Sequence, residues 1–330
     1  MDRFKNTDIT NNLANTGDSG NNQIIMKNVA LVGAGYWGKN LARVLGELGR
    51  LRTICDTDEA VAGPIAARQG AGWVDDLGAV LEDSEIAAIV IATPAITHFE
   101  IASNALSAGK DVYVEKPLAL SDRDARRLCE VAREHRRILM VGHLLQYHPA
   151  YLKLRELVDA GQLGRLQYIY SHRLNFGKIR TEENILWSFA PHDISMILGL
   201  ANAMPIRVDA TGHCYLHGQN PDISTTHLEF PNGLKAHIFV SWLHPYKEQK
   251  LVVVGDRGMA VFDDTCPLEE KLVLYPHSVL WKGGQPEPKK GDAVPVPLED
   301  VEPLRSEIAH FLECIETRVA PRTAGEEGAR

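Results

Sequence analysis

The feature that most narrows what this chain can fold into is a six-residue loop, Gly33-Ala34-Gly35-Tyr36-Trp37-Gly38, set between a short apolar strand and an amphipathic helix. Residues 28–32 read as the strand. Residues 37–48 read as the helix, with Leu41, Val44, Leu45 and Leu48 on one face and Gly49 as its stop. The three glycines have separate physical tasks: the first permits a tight turn, the second leaves room for a close approach, and the third lets helix and strand pack together. The free N–H groups and positive dipole end at such a helix N-terminus favour an anion.

The same alternation continues downstream. Residues 51–55 form a second strand and 59–69 a helix interrupted by Pro64. The run 86–92 is apolar almost throughout, as a strand buried on both faces of a parallel sheet requires. Helix 98–108, ended by Gly109, strand 111–114, helix 122–135 and strand 138–141 complete the pattern. Repeated β-α-β with short connections predicts an α/β fold that begins with a doubly wound Rossmann domain over residues 26–145. After residue 146 the rhythm changes to helix 150–160, strand 166–174 and helix 184–200, then strands at 206–215, 224–230, 234–242, 251–255, 259–263 and 271–275. Pro231-Asn232-Gly233 is a hairpin turn between two of them. Strands grouped after helices predict a C-terminal α+β substrate and oligomerisation domain over 146–330, with a mostly antiparallel open sheet. The open face is expected to be an interface, making the protein a homo-oligomer, dimer or tetramer. Residues 281–297, rich in Gly, Pro and Lys, read as a loop. Residues 304–317 read as a last amphipathic helix, with Ile308, Phe311, Leu312 and Ile315 on one face.

With 330 residues and 45% hydrophobic content, the chain has apolar surface for two cores. Its net charge of −8 argues against a general binder of nucleic acid or anionic membrane, which needs a basic face. No apolar run reaches the roughly 18–20 residues of a membrane span. The five cysteines, at 55, 129, 214, 266 and 314, are odd in number and form no close pair. That pattern points to reduced thiols rather than a disulfide framework or zinc site, and no metal is expected. Residues 1–25, rich in Asn, Asp, Thr and Gly, lack the apolar centre of a signal peptide and read as a disordered extension, with Met26 as an alternative start. A cytoplasmic protein is expected.

The glycine loop follows a strand and opens a helix, the context in which this spacing binds a dinucleotide pyrophosphate. Gly33, Gly35, Tyr36, Trp37 and Gly38 are therefore cofactor candidates. Asp56 ends the second strand about 20 residues after the loop, where a carboxylate accepts the ribose hydroxyls and repels a 2′-phosphate. No Arg or Lys in Thr57-Asp58-Glu59 offsets that repulsion, so NAD is expected rather than NADP. Two further segments sit at strand C-termini, where open α/β sheets bind ligands: Thr93-Pro94 with His98 nearby, and Glu115-Lys116-Pro117.

Together with the second domain, these motifs resemble the Gfo/Idh/MocA oxidoreductase family over nearly the whole chain from Met26. The resemblance implies that Lys116 lies between nicotinamide and the reacting hydroxyl, its backbone held extended by Pro117, where an ammonium stabilises a developing alkoxide or donates a proton. It implies that His192, in Ala190-Pro191-His192-Asp193, is the substrate-domain histidine, with an ordinary pKa of about 6.5 suited to proton transfer. Family members often carry an aspartate four residues before this histidine. Here Ser188 stands there, and Asp193 points away from His192 on a helix, so the identity of the base stays open. Gln146 replaces a frequent arginine, and Tyr147 beside it either lines the pocket or packs beneath the second domain.

The most individual segment runs from Arg173 through Asn175, Lys178, Arg180 and Asn184 to Trp187, joining a strand to the helix of His192. Its three cations stand in an acidic protein, and arginine recognises phosphate through a planar fork. Asn175, Asn184 and Trp187 suit sugar hydroxyls and faces. This pattern is similar to the nucleotide-sugar dehydrogenases of the family. That likeness implies oxidation of the C3 hydroxyl of a UDP-N-acetylglucosamine-type substrate to a ketone, for a partner aminotransferase making 3-amino sugars of lipid A or other glycans. Arg173 or Arg180 would grip the diphosphate. A UDP-N-acetylglucosaminuronate 3-dehydrogenase, a free-sugar or inositol dehydrogenase, and an NAD-binding sensor without turnover are the alternatives.

Overall fold

Short local signals set the element ends. Asp58, Asp76 and Ser121 each accept a backbone N–H of the helix that follows, capping orphan donors of the first turn. Gly70, at φ +64°, closes one of these helices in the left-handed conformation that glycine adopts without strain. The computed structural model describes residues 28–177, 179–181, 183–216 and 218–330. The expected extension at 1–25, Met26 and Lys178 lie outside the described residues.

The first layer is β1 (Asn28–Val32), α1 (Gly38–Glu47), β2 (Leu51–Cys55), α2 (Glu59–Gln69), β3 (Gly72–Val74), α3 (Leu77–Glu82), β4 (Ile86–Ile91), α4 (His98–Ser107), β5 (Asp111–Glu115), α5 (Asp122–Glu134) and β6 (Leu139–Gly142). Its six strands are parallel in the order β3-β2-β1-β4-β5-β6, so the chain reverses direction of travel between β1 and β4. Ligands of such sheets bind at that crevice, outside the strand C-termini. Sequence reading missed β3 and α3, which are too short for a periodic signal.

The second layer is α6 (Pro149–Asp159), β7 (Leu166–Leu174), α7 (Ile185–Ala201), β8 (Arg207–His213), β9 (Ile223–Glu229), β10 (Lys235–Ser241), β11 (Glu248–Gly255), β12 (Met259–Asp263), β13 (Leu272–Tyr275), β14 (Ser278–Lys282), β15 (Gln285–Lys289) and β16 (Val294–Pro295). Eight strands form one sheet, β16-β13-β12-β11-β7-β10-β9-β8, antiparallel except between β7 and β10. α6 and α7 bury one of its faces with Ile169, Ile238, Val240, Trp242 and Val253. On the other face Tyr170 stacks on His237 at 5.3 Å, flanked by Tyr168, His172 and His227.

Two expectations are corrected. Residues 281–297 are not simply a loop: β14 and β15 form a hairpin turned by Gly283 and Gly284, both at positive φ. Its prolines are tolerated because a two-stranded ribbon leaves each strand an unpaired edge. Nor does the second layer run unbroken to residue 330. α8 (Pro303–Thr317) and α9 (Gly325–Ala329) return to the first layer. Leu304, Ile308, Phe311 and Ile315 of α8 join the core of α1 and β1, and Thr323 bonds both backbone groups of Val141 in β6. The amphipathic face read from the sequence is real, but periodicity does not say which core it covers.

Phe311 is fully buried and meets Tyr113 edge-on at 5.8 Å. Phe311→Ala should cost about 3–5 kcal/mol of stability through lost burial and an unfilled cavity, read as a lower denaturant midpoint with the far-UV spectrum unchanged before the transition.

Candidate active site

The glycine loop is built as its spacing demands. Gly33 has φ +93°, and an added Cβ would lie 2.8 Å from the Ala92 carbonyl carbon. A Cβ on Gly38 would strike the Gly33 carbonyl, so α1 packs tightly on β1. Around Gly35, by contrast, the space of a Cβ is open. No acidic side chain and no side-chain cap occupies the first turn of α1, leaving its positive end available to an anion. Beside it lies a cavity of about 400 Å³ bordered by Gly33, Gly35, Asp56, Thr57 and Thr93. Asp56 accepts the Ala34 N–H at 2.6 Å through Oδ2 and the Asp58 N–H at 3.0 Å through Oδ1. The carboxylate thus braces the loop while its remaining lone pairs face the cavity. These residues fit an adenosine diphosphate moiety.

Ala92, Thr93 and Pro94 also border a second cavity of about 320 Å³, which contains Lys116 and His192. The two form one cleft along the strand C-termini. His98, expected at the cofactor, is buried, borders this second cavity and lies between two of its loops: Nδ1 is 2.7 Å from the Pro117 carbonyl and Nε2 3.0 Å from that of Thr93. Burial lowers its pKa, so a neutral ring donates to one carbonyl at a time. Tyr36 and Trp37 line this cavity, and the Trp37 indole donates to Glu115 Oε1 at 2.6 Å.

Glu115 opens a buried chain. Tyr113 Oη stands 3.0 Å from Glu115 Oε1 and 3.1 Å from Glu307 Oε2 of α8. A tyrosine has one O–H, so if it donates to Glu115 the second carboxyl must carry a proton and donate in turn. Burial, then the neighbouring Glu115 charge, holds the Glu307 pKa well above the usual carboxylate range, which makes Glu307 that donor.

Lys116 follows β5, and its Nζ donates to the Ser188 carbonyl at 2.9 Å. That bond sets the ammonium one turn before His192 on α7. Burial lowers the Lys116 pKa, Arg180 and Arg173 push the same way, and Glu115 and Glu183 oppose them. His192 is held well below its usual value by burial, then by Lys116, Arg173 and His143, and its Nδ1 is buried without a partner. The pair is a poised amine beside a neutral imidazole.

Several substrate candidates fall elsewhere. Arg173 does not reach for a diphosphate: its guanidinium is buried and bound to both oxygens of Asp193, at 2.8 and 3.2 Å. Asn184 caps α7, its Oδ1 accepting the Trp187 N–H. Trp187 borders a separate cavity with Leu186, Ile194 and Glu327, on the far side of Pro117. Tyr147 packs inside, its hydroxyl 3.0 Å from Thr323 Oγ1 and Arg322 over its ring. Asn175 donates its backbone N–H to the Ser241 carbonyl as β7 ends. Ser188 is buried and acts through its backbone. Arg180 does line the Lys116 cavity, and with it comes Glu183, which sequence reading passed over. The i to i+3 spacing of the two was the available signal; their Nε–Oε1 distance is 3.1 Å.

Among the described residues no three His, Cys, Asp or Glu are grouped to hold a metal ion, and no helix is long and apolar enough to cross a membrane. Residues 27–143 match the family model described as Gfo/Idh/MocA oxidoreductase, NAD-binding Rossmann fold, and residues 151–261 match the C-terminal domain of that family. The chain is 29% identical over 219 residues to the UDP-N-acetylglucosamine 3-dehydrogenase of Acidithiobacillus ferrooxidans, a match covering 66% of this chain and 68% of that protein. It is 29% identical over 245 residues to inositol 2-dehydrogenase 2 of Saccharopolyspora erythraea, covering 70% and 71%. It is 26% identical over 251 residues to the 2,7-anhydro-N-acetylneuraminate hydratase of Mediterraneibacter gnavus, covering 72% and 67%. The solved structure of the A. ferrooxidans dehydrogenase superposes with a TM-score of 0.80 at 26% identity, over 92% of this chain and 93% of that one.

Asp56→Ala should weaken NAD binding roughly ten- to a hundredfold, the equivalent of the ~1.5–3 kcal/mol of charge-assisted hydrogen bonds, and should narrow the preference over NADP. Quenching of tryptophan fluorescence on titration with each cofactor measures both.

Proposed function

Given that the chain belongs to the Gfo/Idh/MocA family of NAD-binding oxidoreductases, we propose that it oxidises the C3 hydroxyl of a UDP-N-acetylglucosamine-type nucleotide sugar to the 3-keto sugar. The observation that carries this reading is the pairing of Lys116 with His192 in one cavity at the end of the dinucleotide cleft. The likeness to the A. ferrooxidans enzyme supports the substrate class.

NAD, when bound, supplies the hydride acceptor. The glycine loop and the start of α1 hold the pyrophosphate, and Asp56 the ribose. In the reaction the hydroxyl carbon loses a hydride and its oxygen a proton. Of the two candidate bases, His192 is the weaker, because a proton on it would sit buried among Lys116, Arg173 and His143. Lys116, lowered from its ordinary value yet supported by two carboxylates, takes the proton. His192 stays neutral and orients the hydroxyl by hydrogen bonding. The α8 residue Glu307, through Tyr113 and Glu115, keeps the strand end beneath Lys116 in place.

One observation favours a second reading, a UDP-N-acetylglucosaminuronate 3-dehydrogenase. Arg180 opens onto the Lys116 cavity, beside the reacting ring, where a guanidinium suits a ring carboxylate better than a remote diphosphate. We further propose that the face of exposed Tyr168 and half-buried Tyr170 and His237 pairs with a second copy of the chain.

NADH absorbance should rise when NAD⁺ is mixed with UDP-N-acetylglucosamine or its uronate, most clearly with a 3-aminotransferase drawing off the ketone. Tight NAD binding with no signal from any UDP-sugar would sink this reading in favour of a sensor. Lys116→Ala should cut turnover about 10²–10⁴-fold with NAD affinity nearly intact. In the parent enzyme the oxidation rate should climb with pH as Lys116 loses its proton, levelling off below the ordinary lysine range. Tyr170→Glu should convert an oligomer to monomer, measured by light scattering.

A further inference from the structure

Helix α7 carries His192 to the cavity without bringing it a carboxylate. Ser188 is buried and offers only its carbonyl, already bound by Lys116, while Asp193 is turned into Arg173 and Ser171. Among the described residues, two carboxylates reach the cavity from other elements. Glu115 ends the strand before Lys116 and is committed to Trp37 and Tyr113. Glu183 comes from the connection between β7 and α7, mostly buried, with Arg180 as its ion-pair partner. We propose that Glu183 is the positioning residue that sets the charge state of Lys116, and so the strength of the base. The inference rests on the reading that Lys116 takes the hydroxyl proton.

The reasoning is a balance of fields in a buried site. The charged and titratable groups around Lys116 come from every element packed on it: Glu115 of β5, His98 of α4, His143 after β6, Arg173 of β7, Arg180 and Glu183 of the connection, and His192 of α7. Among the described residues, burial and the two arginines favour the neutral amine, and Glu115 and Glu183 favour the ammonium. Burial raises the pKa of Glu115 itself, so its support of the ammonium fades earlier as pH falls than an ordinary carboxylate's would. Glu183 lies across an ion pair from Arg180, Oε1 3.1 Å from Nε, and both side chains line the cavity of Lys116. Arg180 and Glu183 thus form one ion pair whose two ends act on Lys116 with opposite sign. A merely structural Arg180–Glu183 pair would hold the connection without moving the lysine's titration.

The test reads Lys116 directly. Competitive acylation of NAD-saturated protein, followed by mass spectrometry of the Lys116 peptide across pH, reports the neutral amine whatever the substrate. In Glu183→Gln, Lys116 should label roughly tenfold faster at pH 7, the equivalent of about one pH unit of lost support for the ammonium. The rising limb of the oxidation rate should move to lower pH with it. Arg180→Gln should move both in the reverse direction, and Glu183→Asp should restore most of the parent behaviour. Unchanged labelling in a Glu183→Gln protein with parent-like NAD binding overturns the proposal, as does a shift of equal sign in both variants. If Glu183→Gln binds NAD poorly, the Asp and Arg180 variants decide by the same signs. A shifted titration with no turnover on any UDP-sugar would leave Glu183 standing and remove the substrate assignment; turnover with an unshifted titration does the converse.

Discussion

The 2.9 Å bond from Lys116 Nζ to the Ser188 carbonyl joins the two layers at the end of the dinucleotide cleft. Lys116 leaves the parallel sheet at the end of β5, and Ser188 sits in α7 of the second layer. The cavity exists because these two ends meet. Around the bond, the buried His98 ring lies between the Pro117 and Thr93 carbonyls, donating to one of them at a time. The lysine, the wall between the two cavities and the helix of His192 are therefore fixed relative to one another. Such preorganisation places donors before the reaction begins rather than during it.

Around Lys116 and His192 stands a set of charges drawn from both layers. An Arg173–Asp193 pair, wholly inside the second layer, frees no guanidinium for a ligand but raises the local positive potential at His192 and Lys116. Burying such a pair costs desolvation that only good geometry offsets, and here both carboxylate oxygens are bonded and Ser171 adds a further donor. On the other side, Glu115, Tyr113 and Glu307 form a chain that has to share protons to be satisfied. It links the strand end under Lys116 to α8, which the chain contributes almost 200 residues later, the separation of Tyr113 and Glu307 being 194. The last helices are thus part of the dinucleotide layer rather than an appendix to the second domain.

Much of the fold was legible because its signals are local. Alternating strand and helix, Gly49 and Gly109 as stops, and Pro231-Asn232-Gly233 as a turn each act over a few residues, and the observed elements differ from the expected ones mainly by one or two positions. The hairpin of β14 and β15 escaped because Gly and Pro marked it as irregular, although a two-stranded edge accommodates both. The candidate site was legible in part. Lys116 and His192 share a cavity with Arg180. Arg173, Asn184, Trp187 and Tyr147 do not join them, since each found a nearer partner: Asp193, a helix N-terminus, an apolar cavity and Thr323.

The sequence by itself determined the NAD-binding Rossmann unit. Glycine spacing, the strand before it, the helix after it and Asp56 at the next strand end are all constrained by backbone geometry within one β-α-β unit. Tertiary structure decided which charges face the reacting group. Long side chains such as Arg173, Arg180 and Glu183 leave the backbone on flexible stems, and their destination depends on the partner that is closest after packing. Asp193 captured one arginine and the cavity received the other, together with a glutamate that no motif distinguished.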